Sequence, residues 1–180
     1  MARVSLTYRD YETLPADGRR YEIHEGELSV TPAPSPRHQT VALNLAAALD
    51  AHVKAHRLGK IFISPIDVIL SDGTIVQPDI IFLARDRLGL ISQRGIEGGP
   101  TLAIEILSPA TLTVDRQRKF GLYARHGVPW YWIVNPDRRE IEVHGLHAGS
   151  YGRRAGATGD ETLRAEPFPD LALPLASVWP

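Results

Sequence analysis

The sequence predicts a mixed α/β, or α+β, domain in which helices flank a mixed central β-sheet. Segments with helical periodicity alternate with β-rich segments, and residues 101–107 and 131–134 are almost entirely apolar. Strands covered on both faces have this composition, and helices interleaved with such strands form layered domains. The chain has 180 residues, of which 43% are hydrophobic. This size and composition are typical of one domain, so we expect residues 1–180 to form a single one.

The first half of the chain predicts a hairpin, a long helix and a meander. Residues 21–24 and 28–31 alternate with a period of two around Glu25-Gly26, which indicates two antiparallel strands. Ser35 can cap a helix that begins at Pro36 and runs to about His56. Three β-rich segments separated by turn residues then predict a three-strand meander. These segments are 60–64, 66–70 and 75–83.

The second half predicts a buried strand, a helix and two further strands. Residues 84–99 are rich in charge and glycine and indicate a loop with a short helix, before a central strand at 101–107. Thr113 can cap a second helix that runs to about His126 and ends at Gly127. Strands are expected at 131–134 and 140–144. From about residue 146 the composition shifts to Gly, Ala, Arg and Pro, so we expect a peripheral hairpin and an extended tail.

Composition narrows the possible location and ligands. The chain has no cysteine, no apparent signal peptide and no apolar run long enough to span a bilayer, so we expect a cytoplasmic protein without membrane contact. Any metal must be bound by oxygen or imidazole groups. The net charge of −1 gives no general attraction to nucleic acid. Binding of DNA would therefore depend on a local basic surface or on metal ions that contact phosphate.

Two carboxylates occur in apolar strands and are the first candidates for chemistry. Glu105 is the one charged residue of the strand at 101–107, and Asp79 follows Pro78 at the start of an apolar run. A buried carboxylate is costly unless it is paired, protonated or bound to a cation. Together the two could bind Mg²⁺ or Mn²⁺, which prefer oxygen ligands. The alternative for Asp79 is a turn or cap residue.

Lys119 is one of only three lysines and lies on the helix after the Glu105 strand. We expect its ammonium to point toward the carboxylate pair, where it would position an attacking water or stabilise charge on phosphorus. The alternative is an exposed ion pair with Asp115, four residues earlier.

Glu22 and His38 are accessory candidates. Glu22 could reach the metal from the first strand or pair with Arg20 at a solvated edge, whereas His38 could approach the same interior or donate to a backbone carbonyl. His52 and His56 have the spacing of a helical metal pair, but no third ligand is evident, so we interpret them as a solvated face.

These residues occur in an order that resembles the Uma-type restriction endonuclease family, once classed as a domain of unknown function. The similarity covers about residues 5 to 145. It is carried by Tyr21-Glu22, His38, Gln77-Pro78-Asp79, Glu105 to Pro109, Asp115, Lys119, Tyr123, Gly127-Val128 and Tyr131 to Val134. The family looks like a branch of the PD-(D/E)XK nucleases. The resemblance therefore implies a restriction-endonuclease-like core, with Asp79 and Glu105 as the two acids of a magnesium-dependent phosphodiesterase.

The chain departs from the superfamily and family patterns at three positions. The superfamily lysine normally lies two residues after the second acid, where this chain has Leu107, and the resemblance implies that Lys119 replaces it. Family members commonly have an acid before Tyr-Trp and an aspartate before the next proline, whereas this chain has Trp130 and Asn135.

The leading hypothesis from the sequence is hydrolysis of DNA phosphodiester bonds by an endonuclease that activates water with Mg²⁺ or Mn²⁺. In this hypothesis Asp79, Glu105 and Glu22 bind the metal, and Lys119 and His38 assist catalysis. A homodimer would suit cleavage of both strands. The first alternative is a catalytically inactive nuclease fold that binds nucleic acid or protein. The second is a metal-dependent phosphodiesterase that acts on RNA or nucleotides.

Overall fold

The computed structural model describes residues 5–108 and 114–180. The helices are α1 (Tyr8–Tyr11), α2 (Pro36–Ala55) and α3 (Phe120–Arg125), with 3-10 turns at Arg85–Leu90 and Leu175–Ser177 and a π-helix at Val114–Lys119. The first strands are β1 (Arg20–His24), β2 (Glu27–Thr31), β3 (Gly59–Ile63), β4 (Val68–Ser71), β5 (Thr74–Val76), β6 (Ile80–Ala84) and β7 (Ile91–Ser92). They are followed by β8 (Gly95–Glu97), β9 (Leu102–Ile106), β10 (Trp130–Asn135), β11 (Glu140–His147), β12 (Ser150–Thr158), β13 (Thr162–Ala165) and β14 (Phe168–Pro174).

The strands form two larger sheets and one hairpin. The main sheet has the order β12-β11-β10-β9-β6-β3, and the second sheet has the order β2-β1-β5-β4-β8-β7. In the main sheet β9 and β10 are parallel, whereas its other neighbouring strands are antiparallel. The remaining strands, β13 and β14, pair with each other. The predicted mixed central sheet flanked by helices is therefore confirmed.

Alternation along β9 gives the main sheet two buried faces. Leu102, Ile104 and Ile106 pack in one cluster with α2, whereas Ala103 and Leu107 pack in another with α3 and the second sheet. Because successive side chains of a strand point to opposite faces, Glu105 lies on the second of these faces. Its carboxylate thus projects to the side where the two sheets and α3 meet.

Local signals in the sequence account for several element ends. Glu25 and Gly26 both have positive φ angles, of 53° and 82°, as expected for the two-residue turn of a hairpin. The Ser35 side chain accepts a hydrogen bond from the backbone N–H of His38 and so caps α2 at the predicted position. Gly127, with φ 68°, follows α3 in the left-handed region.

The predicted meander is wrong. Residues 75–83 are not one strand, because the chain leaves the second sheet after β5 and enters the main sheet at β6. The strand β3 pairs with β6, whereas β4 pairs with β5. The break lies at residues 77–79, where Pro78 has no N–H to donate and Gln77 and Asp79 bond to other groups. This crossing places Asp79 between the sheets.

Two other predicted segments differ in detail from the expectation. Residues 84–99 contain the expected short helix as a 3-10 turn, and in addition β7 and β8. The second helix begins as a π-helix and becomes α-helical at Phe120. Its predicted cap, Thr113, lies outside the described residues. Among the helices of the described ranges, none has the length and hydrophobicity needed to cross a bilayer.

The expectation of an extended, peripheral C-terminal tail is wrong. β12 joins the main sheet as an edge strand, and the β13-β14 hairpin packs into the cluster beneath it. Phe168 is 1% exposed, and its ring centroid lies 4.8 Å from that of Phe82 and 6.1 Å from that of Trp132. The glycines and arginines make this region look polar in the sequence. In the strands, however, the apolar residues occupy alternate positions that face the core, while the others face solvent.

Replacing Phe168 with alanine will strongly destabilise the protein. The loss of a buried ring should lower the free energy of unfolding by about 3 to 5 kcal/mol, measured by urea denaturation. Leu43→Ala is the control, because Leu43 is 67% exposed and its loss should change that free energy by less than about 0.5 kcal/mol. Equal, small effects of both substitutions would show that the hairpin does not support the core.

Candidate active site

Three buried carboxylates converge where the two sheets meet. Glu22, Asp79 and Glu105 are 1%, 5% and 2% exposed. Asp79 and Glu105 each lie one residue beyond the last antiparallel pair of β6 and β9, which is Ile80 with Ile104. Glu22 comes from β1 in the other sheet. The sequence therefore contributes one carboxylate from each of three separate segments to a single buried cluster.

Lys119 joins two of these carboxylates. Its Nζ lies 3.0 Å from Glu22 Oε1 and 2.9 Å from Glu105 Oε1, and the residue is 3% exposed. One helical turn later, the Tyr123 hydroxyl donates to the same Glu105 oxygen at 2.7 Å. The backbone N–H of Gln77 donates to Glu22 Oε1 at 2.7 Å. Lys119 thus lies inside the cluster, whereas the side chain of its alternative partner, Asp115, lies outside the description.

Asp79 is bonded through both carboxylate oxygens. Its Oδ1 accepts from Arg20 Nη1 at 3.0 Å, and its Oδ2 accepts from the Ile106 N–H at 2.8 Å. His38 Nε2 lies 3.1 Å from the same Oδ2 and so donates to the carboxylate. The structure therefore places His38 on Asp79 and not on a backbone carbonyl.

Arg20 and His24 are site residues that the sequence analysis did not single out. Both lie two residues from Glu22 on β1, so all three side chains share one face of the strand. His24 Nε2 is 2.9 Å from Glu22 Oε2. The side chain of Arg20 is only 17% exposed and reaches Asp79, whereas the sequence offered it only as one possible partner of Glu22 at a solvated edge. The period of two was the signal that could have identified them.

The positive groups keep the carboxylates ionised. Burial alone would raise the pKa of Glu22, but Lys119, His24 and Arg20 outweigh it and hold that pKa well below its usual range. Burial also opposes ionisation of Asp79, yet His38 and Arg20 lower its pKa. Burial and the charge of Glu105 raise the pKa of Tyr123, so its phenol remains protonated and can donate.

The three carboxylates are suitable ligands for a hard divalent cation, although their oxygens already accept hydrogen bonds or form ion pairs. Three carboxylates supply oxygen ligands, and Lys119 and Arg20 form ion pairs with them. Within residues 5–108 and 114–180, no three carboxylate or imidazole groups surround one point as metal ligands would. An ion could therefore bind only if some of these hydrogen bonds were exchanged for coordination.

The remaining candidates and departures lie outside this cluster. The rings of His52 and His56 are 4.3 Å apart, and His52 packs on Phe168. Trp130 packs against the hydrophobic cluster on the α2 side of the main sheet. Asn135 Oδ1 accepts from the N–H groups of Asp137 and Arg138 and closes the turn after β10. The two departures from the family pattern are therefore explained by packing and by a turn.

The arrangement of segments and site residues can be compared with known proteins. Residues 8–176 match Uma2, a family described as "Putative restriction endonuclease". The chain belongs to the Uma2 family. No curated protein matches it. The crystal structure of a "putative nuclease belonging to DUF820" from Anabaena variabilis ATCC 29413 is similar, with a TM-score of 0.77 and 20% sequence identity. The similarity covers 96% of this chain and 97% of that one and shows a shared fold.

Membership in Uma2 connects the buried cluster with a nuclease family. The match extends over all of the cluster residues, from β1 to α3, and the similarity of fold covers 96% of the chain. The chain is therefore a nuclease-family protein with a restriction-endonuclease-like fold, and its acidic cluster is the candidate active site.

Replacing Lys119 with methionine will destabilise the protein in a pH-dependent way. The substitution leaves two buried carboxylates without their shared cation, which should lower the free energy of unfolding by about 3 to 5 kcal/mol at pH 7. In the wild type, the lowered pKa of Glu22 stabilises the fold above the unfolded-state value of about 4.3 and less as pH falls through the native pKa. The deficit of the variant should therefore shrink below about pH 4, because protonated carboxyls need no counter-ion.

This effect is measured by urea denaturation at pH 7 and at about pH 3.5. At the lower pH the carboxyls of an unfolded chain are largely protonated. Lys54→Met is the matched control, since Lys54 is 75% exposed and pairs with Asp50 on the surface. Its loss should cost less than about 1 kcal/mol at either pH. An equal deficit of Lys119→Met at both pH values would contradict the ion-pair explanation.

Proposed function

We propose that the chain is a Mg²⁺- or Mn²⁺-dependent endonuclease that hydrolyses DNA phosphodiester bonds with a metal-activated water. The observation that supports this most directly is the position of Lys119 between Glu22 and Glu105, in the cluster that also contains Asp79. Nucleases need anionic ligands for a cation and a positive group beside the phosphate, and this cluster supplies both.

Asp79 and Glu105 would bind the divalent cation, with Glu22 as a further ligand from the other sheet. When bound, such an ion acts as a Lewis acid on phosphate and lowers the pKa of a coordinated water. Lys119 would orient the attacking water or offset the charge that develops on phosphorus. Tyr123 fixes the Glu105 carboxylate by donating to Oε1, and His38 does the same for Asp79 at Oδ2.

The proposal extends to a cytoplasmic homodimer. Cleavage of both strands of a duplex suits two identical sites related by a two-fold axis. The chain has no cysteine, which fits a reducing compartment. DNA is the substrate we favour because the chain belongs to a restriction endonuclease family. Arg116 and Arg118, on the helical segment that carries Lys119, now pair with Glu142 and Glu27 and would have to exchange these partners to contact phosphates.

Substitution of the three central residues should abolish cleavage. Asp79→Asn, Glu105→Gln and Lys119→Met should each reduce the rate of plasmid cleavage in Mg²⁺ or Mn²⁺ by at least about 100-fold. Asp72→Asn is the control, because Asp72 is an exposed residue of the turn between β4 and β5. Calorimetric titration with Mn²⁺ should show binding to the wild type that Asp79→Ala and Glu105→Ala lose.

The same preparations can distinguish the alternatives. Cleavage of RNA or of a nucleotide diester, with no cleavage of DNA, would show that the substrate is RNA or a nucleotide and not DNA. Metal binding with no hydrolysis of any substrate would favour an inactive binding module. Full activity of Asp79→Asn or Lys119→Met would disprove the assigned site.

His38 should act by orienting Asp79. His38→Ala removes the donor to Asp79 Oδ2 and should lower metal affinity or cleavage rate by about 10- to 100-fold. His38→Gln can place an amide N–H near the same oxygen and should recover part of that loss. His56→Ala is the control, because His56 is exposed and lies at the opposite end of the same helix. Unchanged metal affinity and rate in His38→Ala would remove His38 from the site.

A further inference from the structure

The guanidinium of Arg20 lies among the carboxylates that would bind a metal. Its Nη1 donates to Asp79 Oδ1 at 3.0 Å, and its Nη2 lies 3.9 Å from Glu22 Oε1. Nη2 also donates to the carbonyl oxygen of Gln77, in the segment that crosses between the sheets. Arg20 therefore contributes positive charge at the point where Asp79 and Glu22 approach each other.

The carboxylates around Arg20 stabilise its charge, whereas one of its N–H groups lacks a hydrogen bond. Burial would lower its pKa, but the charges of Asp79, Glu105 and Glu22 outweigh this effect and raise it. Its Nε, in contrast, is buried and meets no hydrogen-bond acceptor in the described part of the chain. A buried N–H without an acceptor is costly. This position therefore stabilises the charge of the guanidinium but leaves its Nε–H unsatisfied.

Arg20 and a metal ion would compete for the same oxygen. Asp79 Oδ2 already accepts from His38 and from the Ile106 N–H, so Oδ1, which Arg20 occupies, is the oxygen whose partner can be exchanged. Two positive charges at one carboxylate oxygen repel each other strongly in a buried site. Coordination by Oδ1 therefore requires the guanidinium to leave.

The surroundings give Arg20 a place to move. An open groove of about 720 Å³ between α2 and β3 is lined at one end by Arg20, His38 and Asp79. Lys119 is 3% exposed and lies between Glu22 and Glu105. Rotation into the groove would carry the guanidinium toward solvent without disturbing either sheet.

We propose that Arg20 is an exchangeable internal counter-ion, which occupies the cation position between Asp79 and Glu22 and moves into the α2-β3 groove when a divalent metal binds. This inference rests on the metal site of the proposed function, and it adds a residue that controls access to that site. Arg20 stabilises the metal-free protein by neutralising Asp79, and for the same reason it weakens metal binding.

The test is the affinity of the protein for Mn²⁺ without nucleic acid, measured by calorimetry. Arg20→Gln removes the competing charge and should bind Mn²⁺ at least about ten-fold more tightly than the wild type. Arg20→Lys keeps the charge and should stay within about three-fold of the wild type. Arg19→Gln is the matched control, because it removes the same charge from an adjacent side chain that is 67% exposed, and it should leave the affinity unchanged.

Thermal unfolding supplies a second measurement that does not depend on a binding isotherm. Without metal, Arg20→Gln should have a lower Tm than the wild type, because Asp79 has lost its counter-ion. Saturating Mn²⁺ should raise the Tm of Arg20→Gln more than that of the wild type. If the variant is unfolded without metal, recovery of its folded spectrum on addition of Mn²⁺ supports the exchange, and failure to recover counts against it.

A third measurement uses the wild-type protein alone. The guanidinium ¹⁵N–H signals of Arg20, identified by their absence from Arg20→Lys, should exchange with solvent faster once Mg²⁺ is bound. Unchanged protection of these signals in the metal-bound protein would overturn the inference. Affinity of Arg20→Gln equal to or weaker than that of the wild type would do the same, as would the absence of Mn²⁺ binding to both proteins.

Failure of this inference can be separated from failure of the proposed function. If the wild type binds metal and cleaves DNA but Arg20→Gln binds no more tightly, only the role of Arg20 is wrong. If Arg20→Gln binds more tightly but no preparation cleaves nucleic acid, the counter-ion exchange stands and the nuclease assignment fails.

Discussion

The need to neutralise buried negative charge between two sheets governs the rest of this structure. Glu22, Asp79 and Glu105 are all at most 5% exposed, and none could remain ionised there without the cations and donors around it. Lys119 connects the strand β1 of one sheet with β9 of the other through ion pairs. Arg20 connects β1 with the segment before β6 in the same way. The contacts that neutralise these carboxylates and stabilise the fold are therefore the contacts that define the candidate site.

Sequence patterns predicted the parts of the fold that depend on local interactions. The Glu25-Gly26 turn and the end of the helix before Gly127 follow from positive φ angles that few residue types adopt, and the Ser35 cap follows from its side-chain hydrogen bond to the His38 N–H. The crossing at residues 77–79 had one local signal, Pro78, which cannot donate a ladder hydrogen bond, but both halves of 75–83 are apolar and β-rich and suggested one strand. The pairing of each half with a different sheet is a long-range property that no local pattern encodes.

The residues of the candidate site could also be predicted only where they carry a local signal in the sequence. Glu105 and Asp79 could be identified from the cost of burying a carboxylate in an apolar strand, and Lys119 was distinctive because lysine is rare in this chain. Arg20 was not singled out, because a charged residue at the start of a hairpin strand usually faces solvent. Its contact with Asp79 joins positions 59 residues apart and depends on the crossing that the sequence analysis did not predict.

In the proposed site the lysine comes from a helical segment, and this position affects how related proteins can be recognised. Leu107 occupies the position two residues after Glu105 and is 5% exposed within the hydrophobic cluster around α3. A text pattern that requires an acid and a lysine two residues apart would pass over this chain. The three-dimensional distances of 2.9 Å and 3.0 Å from Lys119 to the carboxylates give a search criterion that does not depend on linear spacing. Searches for divergent nucleases can therefore use the side-chain constellation and let the position of its lysine along the chain vary.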